Sequence, residues 1–363
     1  MTEPGPQLEA MDTSTLLTAM MPVSFQGLVV ESTSRCNAKC AMCYQSAGPQ
    51  GSDNWGKSAL TPERIEEVLR DAFTIPSLEH RFHLAGGEAF LNVGDCLRLF
   101  AYARGVGYTD ITTTTNAYWA STPAKAHTVC HAARQAGLLR MEISWDHWHL
   151  EHIKPDMVSN ALDACATVGI STILRILTTR GHSAEEALGL LRPDSLAVAT
   201  EIQSGPVFPT GRAERTIPVS EIFYGGNLSS TCHGVLHLTV NAWGKVYPCC
   251  AGADQTEGLA FGNVNETPIY EIAERMNQSR LLRTLVFQGV GALLPILSDA
   301  GIDIGTKFSS ICHACWSVFS HPDRAEIVHR HFADLERDLS ETRQRRLEGL
   351  MTAGSQAGTE VLA

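Results

Sequence analysis

Apolar residues along the chain follow two alternating rhythms. Strand-like runs fall near 26–31, 81–85, 109–114, 140–144, 171–177 and 198–203. Between them, near 61–73, 94–105, 123–136, 156–168 and 183–191, the apolar positions recur at helical spacing. The first helical stretch is the plainest. Thr61 stands at the N-cap, Pro62 at the first helical position and Glu63 in the first turn, while Ile65, Val68, Leu69 and Ala72 share one face. Strands that alternate with helices build parallel βαβ units, so this part of the chain is expected to be α/β, its six units forming a partial (β/α)6 barrel. In such folds the chemistry gathers at the C-terminal ends of the strands.

The first strand runs into Cys36-Asn-Ala-Lys-Cys40-Ala-Met-Cys43. Thiolates are soft ligands suited to iron–sulfur clusters, and three in one short loop can hold three irons of a [4Fe–4S] cube and leave the fourth open. A closed structural zinc site wants four ligands, commonly in paired Cys-x-x-Cys units, and this spacing fits it poorly. After the second strand comes Gly86-Gly87-Glu88, where two glycines permit close backbone approach to a ligand and the carboxylate can accept hydrogen bonds from an ammonium group. The third strand ends in threonines and Asn116, the fourth at Ser144, and Arg175 lies within the fifth. An arginine inside a barrel needs an anionic partner. The run from Ser144 to His152 adds Asp146, His147, His149 and His152, which can line a pocket, handle protons or ligate a metal. Past the sixth strand, Arg212 can reach an anionic substrate group or pin the turn that holds it.

The Cys-x3-Cys-x2-Cys spacing after a first strand resembles the radical S-adenosylmethionine (radical SAM) enzymes. The resemblance implies that the open iron chelates SAM and that an electron from the cluster cleaves it to a 5′-deoxyadenosyl radical. That radical then abstracts a hydrogen atom from a substrate carbon. Gly86, Gly87 and Glu88 resemble the segment that binds the SAM amino group, with Ala89 where proline is usual. Thr115-Asn116 resembles a Thr-Asn-Gly strand end, with Ala117 in place of glycine. The residue before the third cysteine is usually aromatic and packs near adenine; here it is Met42, followed by Tyr44 after the cysteine. Ser144 and Arg175 are further candidate SAM contacts, Arg175 for the SAM carboxylate.

Beyond about residue 225 the barrel rhythm stops and cysteines return at Cys232, Cys249, Cys250, Cys312 and Cys315. Alternating apolar residues around Asn241-Ala-Trp-Gly244 form a hairpin that brings Cys232 and Cys249 together. A helix then supplies the Cys312/Cys315 pair. Four cysteines close a cluster on all its irons, although composition alone leaves a structural zinc open. This part resembles the auxiliary domain called SPASM in its shortened, Twitch form, which implies one auxiliary [4Fe–4S] cluster on Cys232, Cys249, Cys312 and Cys315. Cys250 is a spare core thiol or a hydrogen-atom donor to a substrate radical. Cys96, Cys130 and Cys165 fall in helical segments and are read as core residues.

The expected domains are a disordered 1–22, the barrel over 23–224 and the auxiliary domain over 225–320. A C-terminal helix follows over 321–350 and a disordered tail over 351–363. That helix places Val328, Phe332, Leu335 and Leu339 at core spacing. At 44% hydrophobic and 18% charged, the 363 residues can bury a sizeable core. A net charge of −11 argues against a partner that is nucleic acid, whose phosphates need a basic stripe. No stretch reaches the apolar length of a membrane span. The N-terminus lacks the basic start of a signal peptide, and eleven cysteines without one point to a reducing cytoplasm. The resemblance implies an electron donor such as flavodoxin or ferredoxin. The substrate expected first is a small polar metabolite of the sugar or aminocyclitol type, epimerised or oxidised with Asp146 and His147 as catalytic candidates. A ribosomally made peptide is the runner-up, ranked second because the roughly 25 residues before the first strand are too few for a leader-binding domain. A non-catalytic iron–sulfur or zinc protein is the rival of another class.

Overall fold

The computed structural model describes residues 23–232, 236–249 and 256–359. The expected disorder of 1–22 lies outside them, as does Cys250. Six parallel strands alternate with helices: β1 (Leu28–Glu31), β2 (Arg81–Ala85), β3 (Asp110–Thr115), β4 (Arg140–Ser144), β5 (Ser171–Thr178) and β6 (Glu201–Pro206). The main crossover helices are α1 (Pro62–Ala72), α2 (Val93–Val106), α3 (Pro123–Ala136) and α4 (Pro155–Val168), followed by the short α5 (Ala184–Leu188) and α6 (Pro193–Ala197). Thr61 Oγ1 caps α1 by accepting from Arg64 N at 3.2 Å, and Ile65, Val68, Leu69 and Ala72 are buried on its inner face. The sixth strand begins later than its sequence implies. Pro193 opens a further turn of helix, and the strand then takes in Gly205 and Pro206, a composition tolerated because β6 lies at the sheet edge.

The sheet does not close. Its order is β6-β5-β4-β3-β2-β1-β7-β8-β9, where β7 (Leu238–Val240) pairs parallel with β1 and then turns back through β8 (Lys245–Tyr247) and β9 (Gly262–Asn263). The expected hairpin is present: Asn241 Oδ1 accepts from Trp243 N and Lys245 N, both at 3.0 Å, and Gly244 takes φ +85°. The expected boundary at 224/225 thus divides the chain but not the sheet. Leu236, Leu238 and Val240 belong to the same core as Leu28 and Val30 of β1.

A second core lies among α9 (Arg280–Phe287), α10 (Leu294–Asp299), α11 (Ile311–Phe319) and α12 (Pro322–Thr359). They follow α8 (Ile269–Gln278), which packs on α1. In α12, Val328 and Phe332 are buried as their spacing implies, but Leu335 is exposed, because α12 has by then run past the helices it packs on. The helix does not end at 350: the expected disordered tail continues it to Thr359.

Candidate functional site

Strand β1, hydrogen-bonded on both sides, delivers the chain to the cysteine loop at the C-terminal end of the sheet. Cys36 and Cys40 are buried and Cys43 is half-buried, in a small apolar cluster with Met42, Ala47, Val207, Ala213 and Ile222. Burial pushes the Cys36 thiol up, and the Glu88 carboxylate and the other two thiols add to it. Burial likewise raises Cys43, against which the Arg212 cation works. The three sulfurs therefore share one electrostatic neighbourhood, and each becomes a good ligand once a cation offsets its charge.

The loop is gripped from the far end of the barrel. Arg212, 4% exposed, donates from Nε to Asp53 Oδ2 (2.7 Å), from Nη1 to the Cys40 carbonyl (2.8 Å), and from Nη2 to the Ser46 and Ala47 carbonyls (both 2.7 Å). Its own backbone N–H bonds the Cys43 carbonyl at 3.0 Å. Gly211 makes the approach possible, with φ +61° and a backbone so close that a Cβ would lie 2.0 Å from Tyr44 O. Thr216, on the short α7 (Ala213–Thr216), adds a bond from Oγ1 to the Ala41 carbonyl at 2.7 Å. The sequence offered Arg212 as a contact for substrate or as a pin for its own turn; its guanidinium instead pins the cysteine loop.

The Gly-Gly-Glu segment is packed against the cysteine loop. Gly87 N donates to Thr33 O at 2.6 Å and Glu88 N to Arg35 O at 2.8 Å, and a Cβ on Gly87 would sit 2.3 Å from Arg35 O. The glycine is needed for contact with protein, not first for contact with a ligand. The Glu88 carboxylate is also engaged: it accepts from Thr115 Oγ1 (2.8 Å), Asn116 N (2.8 Å) and Phe90 N (3.1 Å). Burial pushes its pKa up to about 7 despite those three bonds. Asn116 in turn donates from Nδ2 to Asn37 Oδ1 at 2.9 Å and reaches Cys36 Sγ at 3.6 Å. Glu88, Thr115 and Asn116 thus form one buried network behind the cysteine loop.

Arg175 is already paired through Nε, which lies 2.5 Å from Glu142 Oε2 on the neighbouring strand, while its side chain stays half-exposed. Ser144 faces Arg175 across that pair of strands. Below them, His83 places Nδ1 2.7 Å from Thr112 Oγ1 and Nε2 2.9 Å from Thr114 Oγ1. Burial lowers its pKa to about 4. In the loop after β4, Asp146 is buried and holds His149 Nδ1 at 2.8 Å. Burial works against the charged His149 ring, but Asp146 and Cys40 outweigh it and keep the pKa well above its usual value. His152 Nε2 accepts from Lys39 N at 3.2 Å, so this loop braces the cysteines from a second side. His147 instead points outward and stacks on His182 at 3.4 Å. Among the described residues, no three His, Cys, Asp or Glu side chains converge as a single-ion site.

The second cysteine set also converges. Burial raises the Cys315 thiol, and Cys249, Cys232 and Cys312 each raise it further, so Cys315 feels the charge of all three. Cys312 and Cys315 lie in the first turns of α11, whose N-cap Ser310 accepts from His313 N at 3.1 Å.

An unclosed parallel barrel with three thiols at its mouth and four more beside it defines an iron–sulfur enzyme. The profile described as the radical SAM superfamily matches residues 30–192, and that of the iron–sulfur cluster-binding SPASM domain matches 232–316. The chain belongs to the radical SAM superfamily and carries a SPASM domain. It is 25% identical over 299 residues, 80% of this chain and 91% of the relative, to the putative peptide biosynthesis protein YydG of Bacillus subtilis (strain 168). Among solved structures, native anSMEcpe with bound AdoMet superposes with a TM-score of 0.49 at 13% identity, covering 85% of this chain and 99% of that one. The coproporphyrinogen III oxidase HemN of Escherichia coli superposes with a TM-score of 0.40 at 12% identity, covering 59% and 52%. Membership brings a [4Fe–4S] cluster, SAM and auxiliary iron–sulfur chemistry. The residues fit: the loop of Cys36, Cys40 and Cys43 is held by backbone and side-chain bonds, and a second set of four thiols lies apart from it.

The sequence anticipated the thiols and the strand ends. It did not assign the clasp of Asp53 and Thr216, nor the occupants of the barrel wall, His83 and Glu142. Gly211-Arg212 at the end of the last strand was the available signal for the clasp.

Proposed function

We propose that the protein is a radical SAM peptide maturase, acting on a carbon of a ribosomally made peptide. Bound at Cys36, Cys40 and Cys43, the cluster and SAM supply a 5′-deoxyadenosyl radical. The chain's own residues hold the thiol loop rigid through Arg212, Glu88 and Asn116, and shield it with Met42 and its apolar neighbours. One observation carries the peptide assignment: a cleft of about 510 Å³ lined by Arg180, Val219, Ser220, Ile222, Tyr224 and Lys307. Arg180 follows β5 at the barrel mouth and Lys307 precedes Cys312. The cleft is open, and Val219 on its wall is 73% exposed. A small metabolite is held by burying most of its surface, whereas an extended peptide segment suits an open groove. The name of the Bacillus relative points the same way.

Cys232, Cys249, Cys312 and Cys315 are assigned to one auxiliary [4Fe–4S] cluster, with flavodoxin or ferredoxin as reductant. Cys250, beside a ligand of that cluster, is assigned as hydrogen-atom donor, which makes the reaction an epimerisation. A second reading, epimerisation or oxidation of a sugar- or aminocyclitol-like metabolite, draws support from the polar barrel wall of His83, Glu142 and Arg175. Anaerobic assays with reductant and SAM decide between them. A ribosomally made precursor peptide that is the substrate should give 5′-deoxyadenosine and, in deuterated water, one deuterium on a product α-carbon. Cys36→Ala should abolish both, and Cys250→Ala the deuterium alone. Coupled turnover of polyols with no change in the peptide would overturn the assignment.

A further inference from the structure

The cleft also identifies the kind of peptide it takes, an inference that rests on the peptide reading. Most arginines of this acidic chain have carboxylate partners: Arg98, Arg140, Arg175, Arg192 and Arg212 each lie within 3.3 Å of one. Arg180 and Lys307 do not; among the described residues neither makes an ion pair. Arg180 lies over the Phe223 ring at 5.1 Å, and the one described polar partner of its guanidinium is the Ile222 carbonyl, at a long 3.4 Å. Neither cation is buried out of reach, and both line the same cleft.

Among the described residues no acid lines that cleft. Glu221, between the lining residues Ser220 and Ile222, engages its carboxylate with the residues flanking Arg180: Oε2 accepts from Thr179 Oγ1 at 3.0 Å and from Gly181 N at 2.6 Å. In a chain with 39 acidic and 28 basic residues, two unpaired cations with no acid between them form a local field opposite to the protein's own. Beside them, Val219, Phe223 and Tyr224 expose apolar surface, 73%, 40% and 36% respectively. The cleft is tied to both halves of the site. Gly225 N and Gly226 N bond Phe308 O at 3.0 and 2.9 Å, and Tyr224 packs 6.3 Å from the ring of His313, next to Cys312. A segment lying here passes between the barrel mouth and the second cysteine set.

We propose that this cleft binds an acidic stretch of the peptide, with carboxylates paired to Arg180 and Lys307 and an apolar side chain against Val219 and Tyr224. The test uses the full-length, cluster-loaded protein and two fluorescein-labelled probes, one alternating Glu and Leu, the other alternating Lys and Leu. Anisotropy should show the acidic probe binding at least about tenfold tighter, with the advantage shrinking as salt rises. The double variant Arg180→Glu/Lys307→Glu should reverse the preference while iron content and melting midpoint match the parent. Equal affinity for the two probes, or a preference that survives the double variant, would overturn the proposal. The peptide reading is scored separately. If the preference reverses but no peptide is modified, the cleft assignment stands and the maturase reading falls. If a peptide is modified with KM unchanged in the double variant, the maturase reading stands and the cleft assignment falls.

Discussion

Arg212 shows how one buried side chain can govern a cofactor it does not ligate. Four acceptors surround its guanidinium, three of them backbone carbonyls of the thiol loop. Arg212→Met keeps much of the volume but removes all four bonds, leaving Asp53 to Lys39 and Arg215 and the Cys40 and Ser46 carbonyls with one backbone N–H each, a loss on the order of 3 kcal/mol. Iron bound by the first cluster should be lost to a chelator several-fold faster than in the parent, with Arg212→Lys intermediate. Ala117 offers the opposite case. Its φ of +61° is a left-handed conformation, at the position where the family resemblance expects glycine. Ala117→Gly should therefore raise stability by about 1 kcal/mol or less, read from the denaturant midpoint. His83 supplies a pH dependence. Its folded pKa of about 4 lies below the value near 6.5 of the unfolded chain, so its contribution is complete above about pH 6.5. As pH falls toward 4 the unfolded state takes up the proton first and stability declines, by roughly 3 kcal/mol. His83→Gln should lose less stability than the parent between pH 7 and pH 5 in anaerobic urea titrations. These residues also mark what a sequence can tell. The thiols are legible because three soft ligands at fixed offsets have few other uses. Glu88 is legible as a polar residue at a strand end and Arg175 as a cation within a strand, but their pairings with Asn116 and Glu142 join different strands and leave no local trace.

At the scale of elements, periodicity located the six barrel strands and the helices between them, since each strand or helix must bury one face. It could not place β7. Residues 238–240 read as half of a hairpin, yet they also pair in parallel with β1, more than two hundred residues earlier in the chain. Such pairing depends on where the chain returns and not on its local pattern. Two consequences follow for the elements themselves. Strand β6 is left with one free edge, guarded by Pro206. Strand β1 is fully paired, so a chain ending at residue 224 would bare one side of β1 and uncover Leu28 and Val30. That truncation should be recovered as aggregate, while the full chain stays soluble under the same expression conditions; soluble, folded truncated protein would show that the hairpin is an accessory.

Across the whole molecule, two cysteine sets sit at one end of a single continuous sheet, with the basic, apolar cleft tied to both. The helices that carry Cys312 and Cys315 have their own core, but the hairpin that carries Cys249 belongs to the barrel's. The order in which these parts leave the ribosome follows from that arrangement. Strand β1 and its thiols emerge near the beginning of synthesis, whereas the arginine that locks them and the strand that flanks them are made only much later. Throughout that interval the nascent loop lacks its arginine clasp, and iron delivered before translation passes Arg212 would meet thiols braced only by the earlier strands.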